Sequence, residues 1–165
     1  MPMGTYQQVK DELKKLEIDD YDVVDHPAAH TTEEADEYIA GRPGVRTKTM
    51  FLRGKKKKKF YMVIMDDKKP MDFHKSQDLT GAKRVSMAHP EDLEEQLGLA
   101  PGIVSPFGLL NNTAHNVQVY IDQDIVDEPI QTFHPNENTH TIFIKTPDLI
   151  KFLKEEDFAP EVIDL

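Results

Sequence analysis

Lys48 is the residue on which chemistry could turn. It lies between two threonines in the stretch Gly44 to Asp66, GVRTKTMFLRGKKKKKFYMVIMD, just before an apolar run. A lysine where a strand enters a core either protects a strand edge from mispairing or is a fixed ammonium facing a cleft. In the second role it would donate to a carbonyl, a phosphate or a ribose hydroxyl. A second candidate is the loop Gly102-Ile103-Val104-Ser105-Pro106-Phe107-Gly108. Stiffened by Pro101 and Pro106, its backbone N–H groups suit a small polar group, though an ordinary Pro-Gly loop has the same composition. Neither signal decides the matter from spacing alone.

Other chemistries find less support. The chain has no cysteine, which removes disulfides, thiolate metal sites and a cysteine nucleophile. Ser105 is followed by proline and lacks the glycines of a nucleophile elbow. No Walker loop or dinucleotide fingerprint is present. Among seven histidines, His26 and His30 straddle Pro27, while His134 and His140 flank a loop holding Glu137. That last set offers nitrogen and oxygen ligands but matches no recognised ligand spacing, so most histidines read as surface or capping residues. No metal and no cofactor are expected.

The net charge of −10 disfavours a polyanionic partner until its distribution is considered. From Arg42 to Lys59 there are nine basic residues and no acidic one, and all 30 acidic residues lie elsewhere. One concentrated basic face can attract a polyanion locally, because charges beyond about 8–10 Å are screened at cellular salt. The alternative is that Lys55 to Lys59 merely solvate a turn.

The elements that must position these groups follow from pattern. Thr5 caps a first helix with Tyr6, Val9, Leu13 and Leu16 on one face, broken at Asp19-Asp20. Tyr21 to Asp25 is a strand ending at His26-Pro27, and Thr31 with Glu34 opens a second helix closed by Gly41, Pro43 and Gly44. A hairpin follows, with Gly54 expected at positive φ in its turn and Phe60 to Met65 as a strand covered on both faces. Met71 to Thr80 reads as a short helix and Arg84 to Ala88 as a strand. Pro90 starts a helix that Gly98 ends. Strands are expected at Val117–Ile121, Ile130–Phe133 and Thr141–Ile144. Thr146-Pro147-Asp148 opens a last helix, followed by a tail fraying from Glu155. Six or so strands interleaved irregularly with four helices give an α+β fold, and 165 residues suit a single domain, 1–165. No apolar run reaches the length of a membrane span and no signal-peptide pattern opens the chain, so a cytoplasmic protein is the expectation.

Taken together, several motifs resemble a known family. His26-Pro27 with Thr32-Glu33-Glu34-Ala35, then Lys48-Thr49-Met50-Phe51-Leu52, then Gly102 to Asn111, are similar to the YbaK/ProX aminoacyl-tRNA deacylase domain. Phe133-His134-Pro135-Asn136 with Asn138, and Thr146-Pro147-Asp148-Leu149 with Phe152-Leu153, resemble its free-standing ProX branch. The resemblance implies a mixed, barrel-like sheet with flanking helices, and hydrolysis of the ester joining alanine to the 3′ end of proline tRNA. Cysteine on the same tRNA is the alternative substrate. A reading of another class is a non-catalytic RNA-binding module that stacks bases on exposed Phe60 or Tyr61.

The resemblance implies Lys48 and His134 as catalytic residues. Substrate binding falls to Gly102, Ile103, Val104, Ser105, Pro106, Phe107, Thr49 and His26, and contact with tRNA to Arg46, Arg53, Lys83 and Arg84. Implied partners are aminoacylated proline tRNA and prolyl-tRNA synthetase, with neither DNA nor membrane. The family often has asparagine where this chain has Thr49, and the loop body Glu137-Asn138-Thr139-His140 lacks the usual small residues. The implied chemistry needs no covalent nucleophile, since an aminoacyl ester is already activated. A small pocket would exclude proline by bulk.

Overall fold

The computed structural model describes residues 5–29, 32–54, 59–70, 85–100 and 103–164. Helix α1 (Tyr6–Lys15) is capped by Thr5, whose hydroxyl accepts from Gln8 N–H, and it buries Val9 and Leu13. It stops before Asp19-Asp20: Leu16 is the C-cap and Glu17 turns the chain at φ 61°. Strand β1 (Tyr21–Asp25) follows as expected, then α2 (Thr32–Tyr38). The residue expected to cap α2, Thr31, lies outside the described residues, as does the expected helix Met71 to Thr80.

The hairpin is β2 (Val45–Gly54) and β3 (Phe60–Asp66), paired antiparallel from Thr47↔Asp66 to Arg53↔Phe60. Gly54 departs from the expectation. It is the last residue of β2, without positive φ, and a Cβ there would meet the Tyr61 ring at 3.3 Å. The glycine answers a close approach instead of a turn. Strand β4 (Val85–Met87) and α3 (Pro90–Leu97) come next, with Gly98 left-handed at φ 66°. A 3-10 turn (Pro106–Asn111) leads to β5 (Val117–Asp122) and a short helix α4 (Gln123–Val126). Strands β6 (Ile130–Phe133) and β7 (His140–Lys145) precede α5 (Thr146–Glu155). The tail does not fray: Phe158 is buried and β8 (Glu161–Ile163) adds parallel to β5. Its acidity hid the alternating Val162 and Ile163 from pattern reading.

The eight strands form one mixed sheet, ordered β1-β7-β6-β2-β3-β5-β8, with β4 also on β2. Pairs β2/β6, β3/β5 and β5/β8 are parallel and the rest antiparallel. The α+β expectation holds. One face packs Phe51, Phe60, Met62 and Ile64 under α1, α3 and α5; the other packs Leu52, Tyr61, Val63 and Met65 with Tyr120 and Ile163. Strand β3 is therefore covered on both faces, which explains its unbroken apolar run. The same burial corrects the stacking idea: Phe60 lies flat on Phe51, Tyr61 lies against Tyr120, and neither ring is exposed.

Candidate active site

The site begins as a gap in the sheet. On one edge of β2 lies β3; on the other, β6 pairs only with Val45 and Arg46, and β4 only with Leu52 to Gly54. Between them the edge stands open. Asp67 N–H donates to Arg46 C=O at 3.0 Å and Gly54 N–H to Lys59 C=O at 3.1 Å, so the even-numbered peptides of β2 face β3. The odd-numbered ones face the other edge, where Ala88 N–H reaches Phe51 C=O at 2.9 Å. By that alternation the N–H and C=O of Thr49 point into the gap, with no ladder partner among the described residues.

A cavity of about 410 Å³ opens there, walled by Thr47 to Phe51 from β2, Thr132 to His134 from β6 and beyond, Val104, and residues of α2 and α3. Lys48 and His134, predicted from separate motifs, line it together, with Thr49 and Val104. Lys48 is half-buried, and its ammonium has no hydrogen bond or ion pair with any described residue. An unpaired ammonium in a largely apolar cavity is available to a ligand.

His134 donates from Nδ1 to the carbonyl of His140 at 3.1 Å, since a carbonyl only accepts. Burial holds its pKa below the usual histidine range. The ring is then neutral near pH 7 with Nε2 as an acceptor. His26 stands behind it, its ring edge-on to His134 at 6.3 Å and stacked on Tyr38 at 5.1 Å. Its Nδ1 donates to Pro27 C=O and its Nε2 meets Thr141 Oγ1, both at 2.8 Å. Thr141 lines the cavity, so His26 reaches the site through it.

The other predicted residues divide. Gly102, Lys83 and Arg84 lie outside the described residues. Ile103 is half-buried. Ser105, Pro106 and Phe107 are buried behind the cavity wall, Phe107 packing on Phe133 and Phe152 with ring centroids 6.1 and 5.0 Å away. Ser105 donates to Asn136 Oδ1 at 3.1 Å and accepts from Phe107 N–H at 3.2 Å, while Asn136 Nδ2 donates to Phe107 C=O at 3.4 Å. The loop of Val104 and the loop of His134 are thereby locked to each other. Asn136 takes φ 65°, a conformation asparagine tolerates better than most residues, and this explains the residue after His-Pro. Arg46 donates to the carbonyls of Gly44, Ile39 and Arg42 at 2.8–3.0 Å and lies over Phe143. Arg53 bridges His89 and Asp92, both at 3.2 Å.

The histidine-based ligand set is dispersed: Glu137 accepts from Tyr6 N–H and His140 pairs with Asp25, both at 2.6 Å. Elsewhere Asp122, Asp124 and Asp164 converge, but Lys69 already places its ammonium 2.8 Å from Asp122 and from Asp124.

Residues 26–152 match the aminoacyl-tRNA editing domain family. The chain belongs to that family. The chain is 32% identical over the full length of both chains to the prolyl-tRNA editing protein ProX of Acetoanaerobium sticklandii. It is 27% identical to the prolyl-tRNA synthetase associated domain-containing protein 1 of Danio rerio, covering 98% of this chain and 88% of that one. A solved structure described as a candidate trans-editing enzyme for prolyl tRNA synthetase superposes with a TM-score of 0.77 at 23% identity, covering 97% and 95% of the two chains, and shares the fold. The activity of an editing domain is aminoacyl-tRNA deacylation. Among the described residues no helix is long and apolar enough to cross a membrane.

Proposed function

We propose that this editing domain acts in trans, in the cytoplasm, on mischarged proline tRNA, with alanine as the amino acid removed. The observation that carries the reading is the meeting of the unpaired Lys48 ammonium, an open strand edge at Thr49 and a neutral His134 in one cavity. The similarity to a prolyl-tRNA editing protein over the whole chain supports the choice of tRNA.

In the proposed reaction a water molecule attacks the ester carbonyl carbon, assisted by the vicinal hydroxyl of the terminal ribose. The bond from that carbon to the ribose 3′ oxygen breaks, and the oxygen takes the proton lost by the water. Free alanine and uncharged tRNA leave. Lys48 orients the nucleotide and stabilises negative charge as it develops, with the Thr49 N–H as a second donor. His134 and Val104 bound the space for the side chain. The basic stretch around the hairpin, with Lys83 and Arg84, meets the acceptor end of the tRNA. Prolyl-tRNA synthetase is the source of the mischarged substrate and a natural neighbour.

The test is a deacylation assay of purified protein with alanyl, cysteinyl and prolyl esters of proline tRNA, alongside Lys48→Ala. Hydrolysis of the alanyl ester, sparing of the prolyl ester and inactivity of Lys48→Ala are expected. Preference for the cysteinyl ester would change the substrate. Binding without turnover of any ester would replace the enzyme with an RNA-binding module.

A further inference from the structure

Asp36 is the one carboxylate among the described residues that line the cavity. It is carried by α2, whose Ala35 is buried at 4% exposure, with Ile39 just beyond the helix at 2%, so the short helix is anchored and the carboxylate is held half-buried at the wall. No lysine or arginine among the described residues pairs with it. Its neighbours are His134, close enough to feel its charge, and Asp67, whose carboxyl lies against it just past the end of β3. Both oxygens of Asp67 are shut from water without a protein donor. Burial, then Asp36 and Asp66, push Asp67 up to about 7, with Lys68 opposing. Burial and the adjoining carboxyl thus favour the protonated form of Asp67.

The cavity is thus lined by one lysine, Lys48, and one carboxyl side chain, Asp36, neither with an oppositely charged partner among the described residues. An aminoacyl ester presents the complement of both: a phosphodiester on the nucleotide side and an α-ammonium one carbon from the ester carbonyl. We propose that Asp36 is a specificity-determining residue that accepts the α-ammonium of the aminoacyl group, so that the site selects esters of α-amino acids over esters lacking the amine. This deepens the deacylase reading and rests on it. The salt link fixes the aminoacyl end while Lys48 holds the nucleotide end, which aligns the carbonyl with the Thr49 edge between them. A hydrogen-bonded charge pair in such a site contributes about 10- to 100-fold in discrimination.

The experiment compares alanyl-tRNA with lactyl-tRNA, in which the amine is replaced by a hydroxyl, on the wild-type protein, Asp36→Asn and Asp36→Glu. Wild type should favour the alanyl ester by about 10- to 100-fold in kcat/KM. Asp36→Asn should lose most of that preference, through a rise in KM for the alanyl ester that exceeds any change for the lactyl ester. Asp36→Glu should restore part of it. Unchanged circular dichroism and thermal midpoint would show that the variant keeps its fold and lacks only the salt link. Equal hydrolysis of both esters by wild type, or full preference in Asp36→Asn, would overturn the assignment. Hydrolysis of neither ester by wild type would instead count against the deacylase reading itself.

Discussion

Strand β2 treats its two halves differently. From Leu52 to Gly54 it is sandwiched between β3 and β4, and its cation Arg53 is engaged by His89 and Asp92 at the start of α3. From Thr47 to Met50 it has β3 on one edge and a cavity on the other, and its cation Lys48 has no described partner. The two residues sit five positions apart on one strand. The closed half is architecture, because its strong groups are satisfied; the open half is where hydrogen-bonding capacity remains for a ligand.

The contrast breaks most sharply at Lys48. Lys48→Ala should lower deacylation by at least about 10²–10³-fold, the usual effect of removing a charge-stabilising donor. Its thermal midpoint should stay near that of wild type, since no ion pair is removed. Measured turnover close to wild type would erase the distinction between the halves. His134→Ala should act more mildly, relaxing the choice of side chain by about 10-fold. Because His134 is held below the usual histidine range, the acid limb of the pH–rate profile should also lie below it, and a limb at the ordinary value would show the ring exposed.

On the closed half, Arg53→Ala removes a partly exposed ion pair and should cost no more than about 1 kcal/mol in denaturant unfolding. Replacing Lys55 to Lys59 with serines should weaken tRNA binding and flatten its salt dependence by about 0.7–0.9 in log–log slope for each phosphate no longer neutralised. Hydrolysis of a minimal aminoacyl-nucleotide should survive, and an unaltered slope would leave the lysines as solvation alone.

A pH-dependent effect concerns two carboxyl pairs. Asp67 beside Asp36, and Glu156 beside Glu12, are both pushed up to about 7, chiefly by burial and then by their partners. A carboxyl whose folded pKa is raised keeps its proton while the unfolded chain has lost it. Stability should therefore fall as pH climbs from about 4 to about 7 and level off above. Asp67→Asn and Glu156→Gln should each flatten that slope in pH-dependent melting.

Much of the fold is legible in residue order because its signals are local. Thr5 ahead of a 3.6-residue apolar stripe, Pro90 at the first position of α3 and the unbroken run Phe60 to Met65 each encode their element nearly alone. Lys48 and His134 belong to motifs far apart in the chain, and the cavity holds both, as the family resemblance implies. What pattern does not reveal depends on neighbours remote in sequence. Gly54 answers the ring of Tyr61, and Val162 and Ile163 need β5 beside them to become a strand. Asp36 sits among Glu33, Glu34 and Glu37 and looks like solvated helix until α2 is laid against the cavity. Asn136 is explained only by its bonds to Ser105 and Phe107.

The parallel pairing of Val45 with Gln131 and Arg46 with Thr132 has a consequence in time. These partners are separated by about half the chain, and such a pairing forms only after the entropy of closing the intervening loop has been overcome. At roughly 5–20 residues per second of synthesis, Lys48 leaves the ribosome several seconds before His134 exists. The hairpin β2–β3 is local and can form at once, but its open edge has no far wall until β6 and β7 arrive. A growing chain therefore exposes the ammonium for that interval without an enclosed cavity around it. Activity should appear in one step, when the chain has passed β7, and not grow gradually with length.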